Sequence, residues 1–414
     1  MPPARDFRFL HAADLHLDSP LEGLDRYEGA PVDRIRVATR DAFEGLIALA
    51  RSERVDLVVL AGDLYDGDWK DYNTGLFLNR QLARLDCPVV LLQGNHDAAS
   101  VLTRSLRPPS NVHVLASDRP ETLVFEEIGA AVHGQSFADR KVTRNLAIDY
   151  PDPRPGLVNI GVLHTALDEP EGVHARYAPC KIEELRGRGY DYWALGHVHV
   201  RQTRGEDPWI VFPGNLQGRH ARETGPKGAL VVEVRGGRVQ APVFHALDVL
   251  RWAQVEVDAA GAETLDAVLD LIRAELAREI EAAEGRLVAA RVTVVGRCGA
   301  NAALRRDPDA LVQEIRNLVP NLDGELWIEK VRVRTRDARG IEDLAARTDE
   351  LGELVRRLAV GSGDETPAAP EFETLLRSLP VKIRHALEGD ATDEIETEAR
   401  ELLLSRLLEA EDGA

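Results

Sequence analysis

The chain has 414 residues, a formal net charge of −19 and three cysteines. This length exceeds what a single hydrophobic core usually serves, so we expect two or three domains. The cysteines are scattered and odd in number, which excludes a disulfide framework and a thiolate metal site. No apolar run approaches the roughly 18 residues of a membrane span, and no charged leader precedes an apolar segment, so we expect a cytoplasmic protein with no membrane partner.

Five short apolar runs in the first half of the chain predict buried strands of an α/β sheet. The runs cover residues 7–12, 55–61, 89–93, 157–163 and 190–195. Each is rich in branched or aromatic side chains and ends at polar residues or glycine, as buried strands do. Ligands of such sheets bind beyond the carboxyl ends of the strands. The polar clusters that follow the five runs are therefore expected to meet in one crevice.

These clusters contain side chains that bind divalent metal ions. They are Asp14-Leu15-His16, Gly62-Asp63-Leu64-Tyr65-Asp66, Gly94-Asn95-His96-Asp97, His164 and Gly196-His197-Val198-His199. Carboxylate, amide and imidazole donors without cysteine suit Mn, Fe or Zn. A carboxylate such as Asp63 has two oxygens and can bridge two ions, and two ions about 3.5–4 Å apart clamp the attacking and leaving oxygens of a phosphoryl displacement. The pattern predicts a two-metal phosphoesterase site.

His96 is the predicted catalytic acid. It adjoins the candidate ligand Asn95, and as an imidazolium it would protonate the leaving oxygen, with Asp97 or Asp66 as the partner that orients its ring. Taken singly, each cluster is also explained by a helix cap, an ordinary turn or a hydrogen-bonded core histidine. The ordered set favours the metal site over these explanations.

The same ordered set, Asp-x-His, Gly-Asp-x-x-Asp, Gly-Asn-His-Asp, a lone His and Gly-His-x-His, resembles the calcineurin-like metallophosphoesterase superfamily. Within it, residues 11–20, 133–137 and 212–220 resemble SbcD-type DNA repair exonucleases, especially the YhaO-like branch. The resemblance implies a β-sandwich flanked by helices, a small α/β capping domain and a C-terminal helical module. One departure is Asp18-Ser19-Pro20, where many of these exonucleases have glycine after His-Leu, and it bears on substrate preference.

The resemblance also implies the role of each site residue and a pair of divalent ions, usually manganese. The first ion would be held by Asp14, His16, Asp63 and His199. The second ion would be held by Asp63, Asn95, His164 and His197. His96 would be the catalytic histidine.

A basic stretch follows the last cluster and is a candidate DNA-binding segment. It contains Arg219, His220, Arg222 and Lys227. Basic side chains neutralise backbone phosphates without reading the base sequence, which suits a nuclease that acts on many ends. A solvated loop explains the stretch equally well.

The predicted domain organisation has four segments. They are residues 1–248, a metallophosphoesterase domain; 249–340, a capping domain; 341–370, a helix and flexible linker; and 371–414, a helical module. Strand and helix patterns alternate after residue 250, as in a small α/β domain. The leucines of the last segment exceed what two short helices can bury, so we expect this segment to dock on the protein's own body or on a partner.

The function predicted from these observations is that of a metal-dependent DNA exonuclease or phosphodiesterase of DNA repair. No Walker-type phosphate loop is present, so ATP hydrolysis is expected in another chain. The resemblance implies that this partner is an SbcC-like ATPase with a long coiled coil, bound through the C-terminal helices. By resemblance we expect a homodimer. Residues 341–414 hold 19 acidic and 8 basic side chains, so much of the net charge lies in this tail. Two alternatives stay open: a small-molecule or cyclic-nucleotide phosphodiesterase, and a DNA-end binding scaffold with a vestigial site.

Overall fold

The structure is a computed structural model, and it describes residues 6–19, 30–66, 71–99, 107–168 and 177–338, together with 346–348, 352–353 and 356. The predicted C-terminal helical module and nearly all of the predicted linker segment lie outside the described residues. The chain divides into two compact units, Met1–Ala253 with Gly285–Ala289, and Gln254–Glu284 with Ala290–Ala414. The sequence-based domain boundaries stay predictions.

The first unit contains most of the strands. They are β1 (Phe7–Ala12), β2 (Leu57–Ala61), β3 (Val89–Leu92), β4 (Val112–Val114), β5 (Glu121–Phe125), β6 (Ala130–Gly134), β7 (Val158–His164), β8 (Tyr192–Gly196), β9 (Gln202–Glu206), β10 (Trp209–Phe212), β11 (Gly228–Arg235), β12 (Arg238–Val239) and β13 (Val243–Ala246). Its helices are α1 (Val32–Ser52), α2 (Tyr72–Leu82), α3 (Asn95–Ala99) and α4 (Ile182–Arg186), with a 3-10 turn at Ala147–Asp149. The five strands predicted from apolar runs are confirmed as β1, β2, β3, β7 and β8.

These strands form two sheets in the described part of the unit. One sheet has the order β12-β11-β1-β2-β3-β4, with β13 paired to β11, and the other has the order β5-β6-β7-β8-β10-β9. Strands β1 to β4 are parallel to one another, and so are β6, β7, β8 and β10. Parallel neighbours end at the same edge of a sheet, so the polar clusters after β1, β2 and β3 are brought together, as are those after β7 and β8.

The two sheets pack face to face around a shared core. Phe9, Val59 and Val90 of the first sheet and Ile160 and Ala194 of the second belong to the same cluster of buried apolar side chains. A second cluster lies on the outer face of the first sheet, where α1 and α2 pack, and a third covers the outer face of the second sheet. Strands buried on both faces need continuous apolar runs, which explains the sequence pattern. The β-sandwich flanked by helices is therefore confirmed.

The region after residue 249 has the alternating pattern expected from its sequence. Its elements are β14 (Leu250–Asp258), α5 (Leu265–Ala282), β15 (Leu287–Cys298), α6 (Asn301–Arg306), α7 (Pro308–Leu318), a 3-10 turn at Val319–Asn321 and β16 (Leu326–Asp337). The strands form a sheet in the order β14-β15-β16. The side chain of Thr264 accepts a hydrogen bond from the Ala267 N–H and so caps α5. Among the helices that the structure describes, none is long and apolar enough for a membrane span.

Candidate metal centre

The loops after β1, β2 and β8 adopt unusual backbone conformations that direct polar side chains to one place. Asp14, His16, Asp63 and His197 have φ angles of 52°, 44°, 52° and 101°. The first two loops run side by side, because the Asp14 N–H donates to the Gly62 carbonyl oxygen (2.9 Å) and the His16 N–H donates to the Asp63 carbonyl oxygen (3.0 Å). Left-handed conformations in non-glycine residues cost free energy and are concentrated at functional sites.

Glycines at these strand ends leave room for the neighbouring loops. A Cβ atom on Gly196 would lie 2.0 Å from the Ala61 carbonyl oxygen, and a Cβ atom on Gly94 would lie 2.4 Å from Asp63 Oδ1. Of the glycines Gly62, Gly94 and Gly196, only Gly62 has a positive φ, of 97°. The chief requirement at Gly94 and Gly196 is thus close packing of the strand ends, which the sequence alone did not indicate.

The first group of potential ligands contains Asp14, His16 and His199. The Nε2 atoms of His16 and His199 are 3.2 Å apart, and His199 Nε2 lies 3.8 Å from Asp14 Oδ1. The ligand atoms of all three residues lie within 4.8 Å of one another. Two imidazoles that bind one ion at about 2.1 Å have nitrogens roughly 3.0–3.4 Å apart when the angle between the bonds is near 90–109°. The observed separation fits two neighbouring ligands of one ion.

Each of these two imidazoles is oriented by a carboxylate behind it. His16 Nδ1 donates to Asp66 Oδ1 and His199 Nδ1 donates to Glu223 Oε1, both at 2.7 Å. A proton on Nδ1 leaves Nε2 free to bind a metal ion, as in the carboxylate–histidine pairs of metal sites. Burial would raise the pKa of Asp66 and Glu223, but the imidazole hydrogen bonds and Arg219 hold both pKa values well below the usual range. Both carboxylates are therefore ionised at neutral pH.

Glu223 is a site residue that the motifs did not reveal. It lies in the loop that the sequence suggested as a basic DNA-binding segment. Four donors converge on its carboxylate: His199 Nδ1 (2.7 Å), Arg219 N (2.8 Å), Asn215 Nδ2 (3.0 Å) and Arg219 Nη2 (3.3 Å). The one signal in the sequence was an acidic residue within a basic stretch.

The second group contains Asp14, Asp63 and His164, with Asn95 beside them. His164 Nε2 lies 3.3 Å from Asp63 Oδ2 and 3.0 Å from Asn95 Oδ1, and His164 Nδ1 donates to the Ala61 carbonyl oxygen at 3.0 Å. Burial disfavours the charged form of His164, but the Asp63 carboxylate outweighs it and raises the pKa of His164 to about 9. Burial would also raise the pKa of Asp63, yet the imidazoles around it hold that pKa well below its usual range. This point of the protein therefore stabilises a positive charge, as a cation site must.

His197 borders this second group. Its ring centroid is 5.2 Å from that of His164 and 5.3 Å from that of Tyr177, and burial lowers its pKa to about 3, so its imidazole is neutral. Its backbone N–H donates to both Asp14 oxygens, at 3.1 and 3.0 Å. Among the described residues, it belongs to no group of three or more His, Cys, Asp or Glu side chains whose ligand atoms lie within 4.8 Å of one another. The loop that carries His197 thus fixes Asp14 and places the His197 ring at the edge of the centre.

His96 lies beside both groups and is more accessible than they are. Its side chain is 31% exposed, its Nδ1 lies 3.5 Å from Asp66 Oδ1, and its ring centroid is 5.1 Å from that of His16. The His96 N–H donates to Asp63 Oδ1 at 3.0 Å. The primary partner of Asp66 is His16, which differs from the sequence-based expectation that Asp66 serves His96.

The structure gives Asp97 a different role from the predicted partnership with His96. Its carboxylate is buried and accepts hydrogen bonds from the backbone N–H groups of Leu64 (2.8 Å), Tyr65 (3.1 Å) and Gly94 (2.9 Å). Burial and the nearby Asp63 raise its pKa to about 8 against these donors. Asp97 joins the loops after β2 and β3 and so positions the ligands that they carry.

Of the predicted DNA-binding residues, Lys227 and Arg219 contact groups of the protein itself, whereas His220 and Arg222 are exposed. Lys227 is buried, and its Nζ donates to the His199 carbonyl oxygen at 2.8 Å, so a role in binding DNA phosphates is not supported for this side chain. Arg219 has a side-chain exposure of 16% and faces Asp66 and Glu223. His220, with 55% side-chain exposure, and the exposed Arg222 face solvent, and their contact with DNA stays a prediction.

Sequence comparisons place this centre in a known family. The family described as calcineurin-like phosphoesterase matches residues 7–201, and the family described as metallophosphoesterase YhaO, middle domain, matches residues 252–336. A DNA double-strand break repair protein Mre11 from Methanopyrus kandleri is 30% identical over 93% of this chain and 73% of its own length. The chain belongs to the calcineurin-like metallophosphoesterase family.

Other relatives indicate the branch of this metallophosphoesterase. The uncharacterized metallophosphoesterase YhaO of Bacillus subtilis is 37% identical over 64% of this chain and 67% of that protein. An Mre11 protein of Haloferax volcanii is 28% identical over 64% of this chain and 58% of that protein. The relationship to YhaO and to Mre11-type nucleases agrees with the YhaO-like, SbcD-type resemblance found in the motifs, which is confirmed.

The donor set of this metallophosphoesterase fits divalent metal ions. Oxygen and imidazole donors from five strand ends converge, two imidazoles are oriented by carboxylates at Nδ1, and the environment of Asp63 favours positive charge. The family thus indicates a phosphoesterase hydrolase, and the described residues supply the groups that its metal ions require.

Proposed function

We propose that this protein is a metal-dependent DNA exonuclease of DNA repair that hydrolyses phosphodiester bonds with two divalent ions, and that manganese is the ion among the Mn, Fe and Zn that the donor set suits. The observation that carries the proposal is the meeting of two ligand groups beside His96, whose side chain is 31% exposed. In this proposal the first ion is held by Asp14, His16, Asp63 and His199. The second ion is held by Asp63, Asn95, His164 and His197.

Bound ions of this kind polarise the phosphate and activate a water molecule for attack. His96 would donate a proton to the leaving oxygen, because its ring lies beside the ligand groups and is more exposed than they are. Asp66 Oδ1, 3.5 Å from His96 Nδ1, lies where it can orient the His96 ring for this step.

Two observations favour DNA over a small substrate. The Mre11 relatives are DNA double-strand break repair proteins by name. In the second unit, the basic side chains Lys330, Arg332, Arg334 and Arg336 occupy alternate positions of β16, and all but the half-buried Arg332 are exposed. Alternate residues of a strand lie on one side of it, so these side chains form a row that suits a phosphate backbone.

The proposed partners are a second copy of the chain and an SbcC-like ATPase. Val37 of α1 and Tyr72 and Leu76 of α2 are 43%, 50% and 51% exposed, which supports a homodimer through these helices. The ATPase proposal is supported by the leucines of residues 371–414 alone, which lie outside the described residues. The proposed compartment is the cytoplasm.

Nuclease assays on matched variants test this function. Purified protein with Mn²⁺ should degrade linear duplex DNA, and EDTA should abolish the activity. His96→Ala should bind Mn²⁺ normally. Its turnover should fall by at least about a hundredfold, the lower end of the range for loss of a general acid. His113→Ala, which changes an exposed histidine of β4, is the control and should behave as wild type.

Two measurements, the choice of substrate and the metal content, separate this proposal from the two alternative functions. Cleavage of cyclic nucleotides without cleavage of duplex or single-stranded DNA would show a small-molecule phosphodiesterase. Binding of DNA ends that is equally strong with EDTA, in a protein without stoichiometric metal, would show a scaffold.

A further inference from the structure

Arg219 contacts both carboxylates that stand behind the imidazoles of the first ligand group. Its Nη1 lies 3.4 Å from Asp66 Oδ1, and its Nη2 lies 3.3 Å from Glu223 Oε1. Asp66 and Glu223 in turn accept the Nδ1–H of His16 and His199, each at 2.7 Å. One guanidinium thus connects two carboxylate–histidine pairs that come from distant parts of the sequence.

We propose that Arg219 is a positioning residue that couples His16 and His199, the two imidazoles of the first ion, by bridging their carboxylates Asp66 and Glu223. The inference rests on the proposed two-ion function and adds to it a residue outside the ligand set. Arg219 acts through its neighbours, since its contacts in the site are with carboxylates, the Ser19 hydroxyl and His199 Nδ1.

Geometry explains why an arginine is needed at this position. A planar guanidinium presents several N–H donors in fixed directions, so its two ends can hold two carboxylates at once. The Arg219 N–H also donates to Glu223 Oε2 at 2.8 Å, so the main chain and side chain of one residue grip the same carboxylate. A lysine ammonium has one charged centre and cannot fix both carboxylates in this way.

Charge gives a second reason. Asp14, Asp63, Asp66 and Glu223 are four carboxylates of low solvent exposure around one centre, and like charges that are close together disfavour each other. The Arg219 guanidinium, on a side chain that is 16% exposed, lies between the two outer carboxylates and offsets their mutual repulsion. Without Arg219, the Asp66 and Glu223 carboxylates would be free to turn away from His16 and His199, and the two Nε2 atoms would no longer be held towards one point.

The experiment is a Mn²⁺ titration, by calorimetry and electron paramagnetic resonance, of the full chain without substrate. Arg219→Met should weaken one of the two Mn²⁺ ions by about 10–100-fold, the range for loss of an outer partner of a metal ligand, and leave the other ion unchanged. Arg219→Lys should resemble Arg219→Met. Arg204→Met, which breaks an exposed arginine–carboxylate pair between Arg204 and Asp168, is the control and should leave both ions unchanged.

Activity and coupling measurements complete the test. The nuclease activity of Arg219→Met should recover as Mn²⁺ is raised, and Arg219→Met should add little to the loss of affinity in a Glu223→Gln protein, because both changes act on one network. Thermal unfolding in EDTA shows whether each variant is folded. If Arg219→Met is unfolded, the Mn²⁺ affinity of Arg219→Lys provides the test.

Wild-type affinity for both ions in Arg219→Met or Arg219→Lys would overturn the inference while leaving the proposed function intact. A raised KM with unchanged metal affinity would also overturn it, because Arg219 would then contact the substrate. A wild-type protein that binds no Mn²⁺ at all would instead refute the proposed function on which the inference rests.

Discussion

Replacement of Gly196 by alanine is predicted to separate two central strands and to displace His164. The new Cβ atom would lie 2.0 Å from the Ala61 carbonyl oxygen and 2.9 Å from His164 Nδ1. The same Ala61 oxygen accepts the His164 Nδ1–H at 3.0 Å. Because carbon–oxygen contacts are normally about 3.3 Å or longer, the overlap exceeds 1 Å, and the atom it meets belongs to the backbone of buried β2. Either β8 or β2 must move.

The magnitude follows from this overlap and from the lack of a flexible neighbour. Overpacking of a well-packed core costs about 1–3 kcal/mol, and a backbone collision falls at the upper end, so we expect Gly196→Ala to lose about 3 kcal/mol. Gly45→Ala, a change within α1, is the matched control. Its Cβ atom would lie 3.7 Å from Leu247 Cδ2, an ordinary van der Waals contact. That control should gain about 0.5–1 kcal/mol, as alanine favours a helix interior.

Urea unfolding in EDTA measures both free energies, and Mn²⁺ titration measures the site. Gly196→Ala should also lose the ion that His164 is proposed to hold. Equal unfolding free energies for Gly196→Ala and wild type, or a gain similar to that of Gly45→Ala, would show that the strand ends are not packed as closely as described.

Two further predictions concern a missed site residue and a buried histidine. Glu223→Gln should weaken Mn²⁺ binding by about 10–100-fold, because one amide oxygen cannot serve donors at both carboxylate positions, and an unchanged affinity by calorimetry would contradict this. His11 is buried between the Tyr192 hydroxyl (3.0 Å) and the Leu195 carbonyl oxygen (3.2 Å), and burial lowers its pKa from 6.5 to about 3. Below pH 6.5 the unfolded chain binds a proton that the folded chain does not, so stability falls as the pH falls towards 3. Between pH 7 and pH 5 the loss is about 2 kcal/mol, and urea unfolding of His11→Gln should show a pH dependence weaker by that amount; parallel curves for the two proteins would disprove it.

The sequence predicted the strands and the convergence of polar clusters because both depend on local patterns. Continuous apolar runs mark strands that are buried on both faces, and polar residues directly after parallel strands meet at one edge. These two rules bring Asp14 and Asp63 together at one edge of the first sheet, whereas His164 joins them because the second sheet packs face to face on the first. The structure brings the ligand atoms of all three within 4.8 Å.

The roles that the sequence missed or assigned differently depend on distant contacts. Glu223 lies 24 positions after His199, and no spacing rule connects the two. Asp97 follows His96 directly, which suggested a partnership, but its carboxylate turns to backbone N–H groups at the ends of two strands. Lys227 looks like a phosphate contact by composition, and burial against the His199 carbonyl is visible only in three dimensions.

Counting bound Mn²⁺ ions in the purified chain tests the central claim most directly. Equilibrium dialysis at saturating Mn²⁺, with anomalous diffraction to locate the ions, should give two ions per chain around Asp63 for wild type. Asp63→Asn, which keeps the size of the side chain and removes its charge, should lose the pair. A folded wild-type chain that binds no Mn²⁺ at this centre would contradict the account.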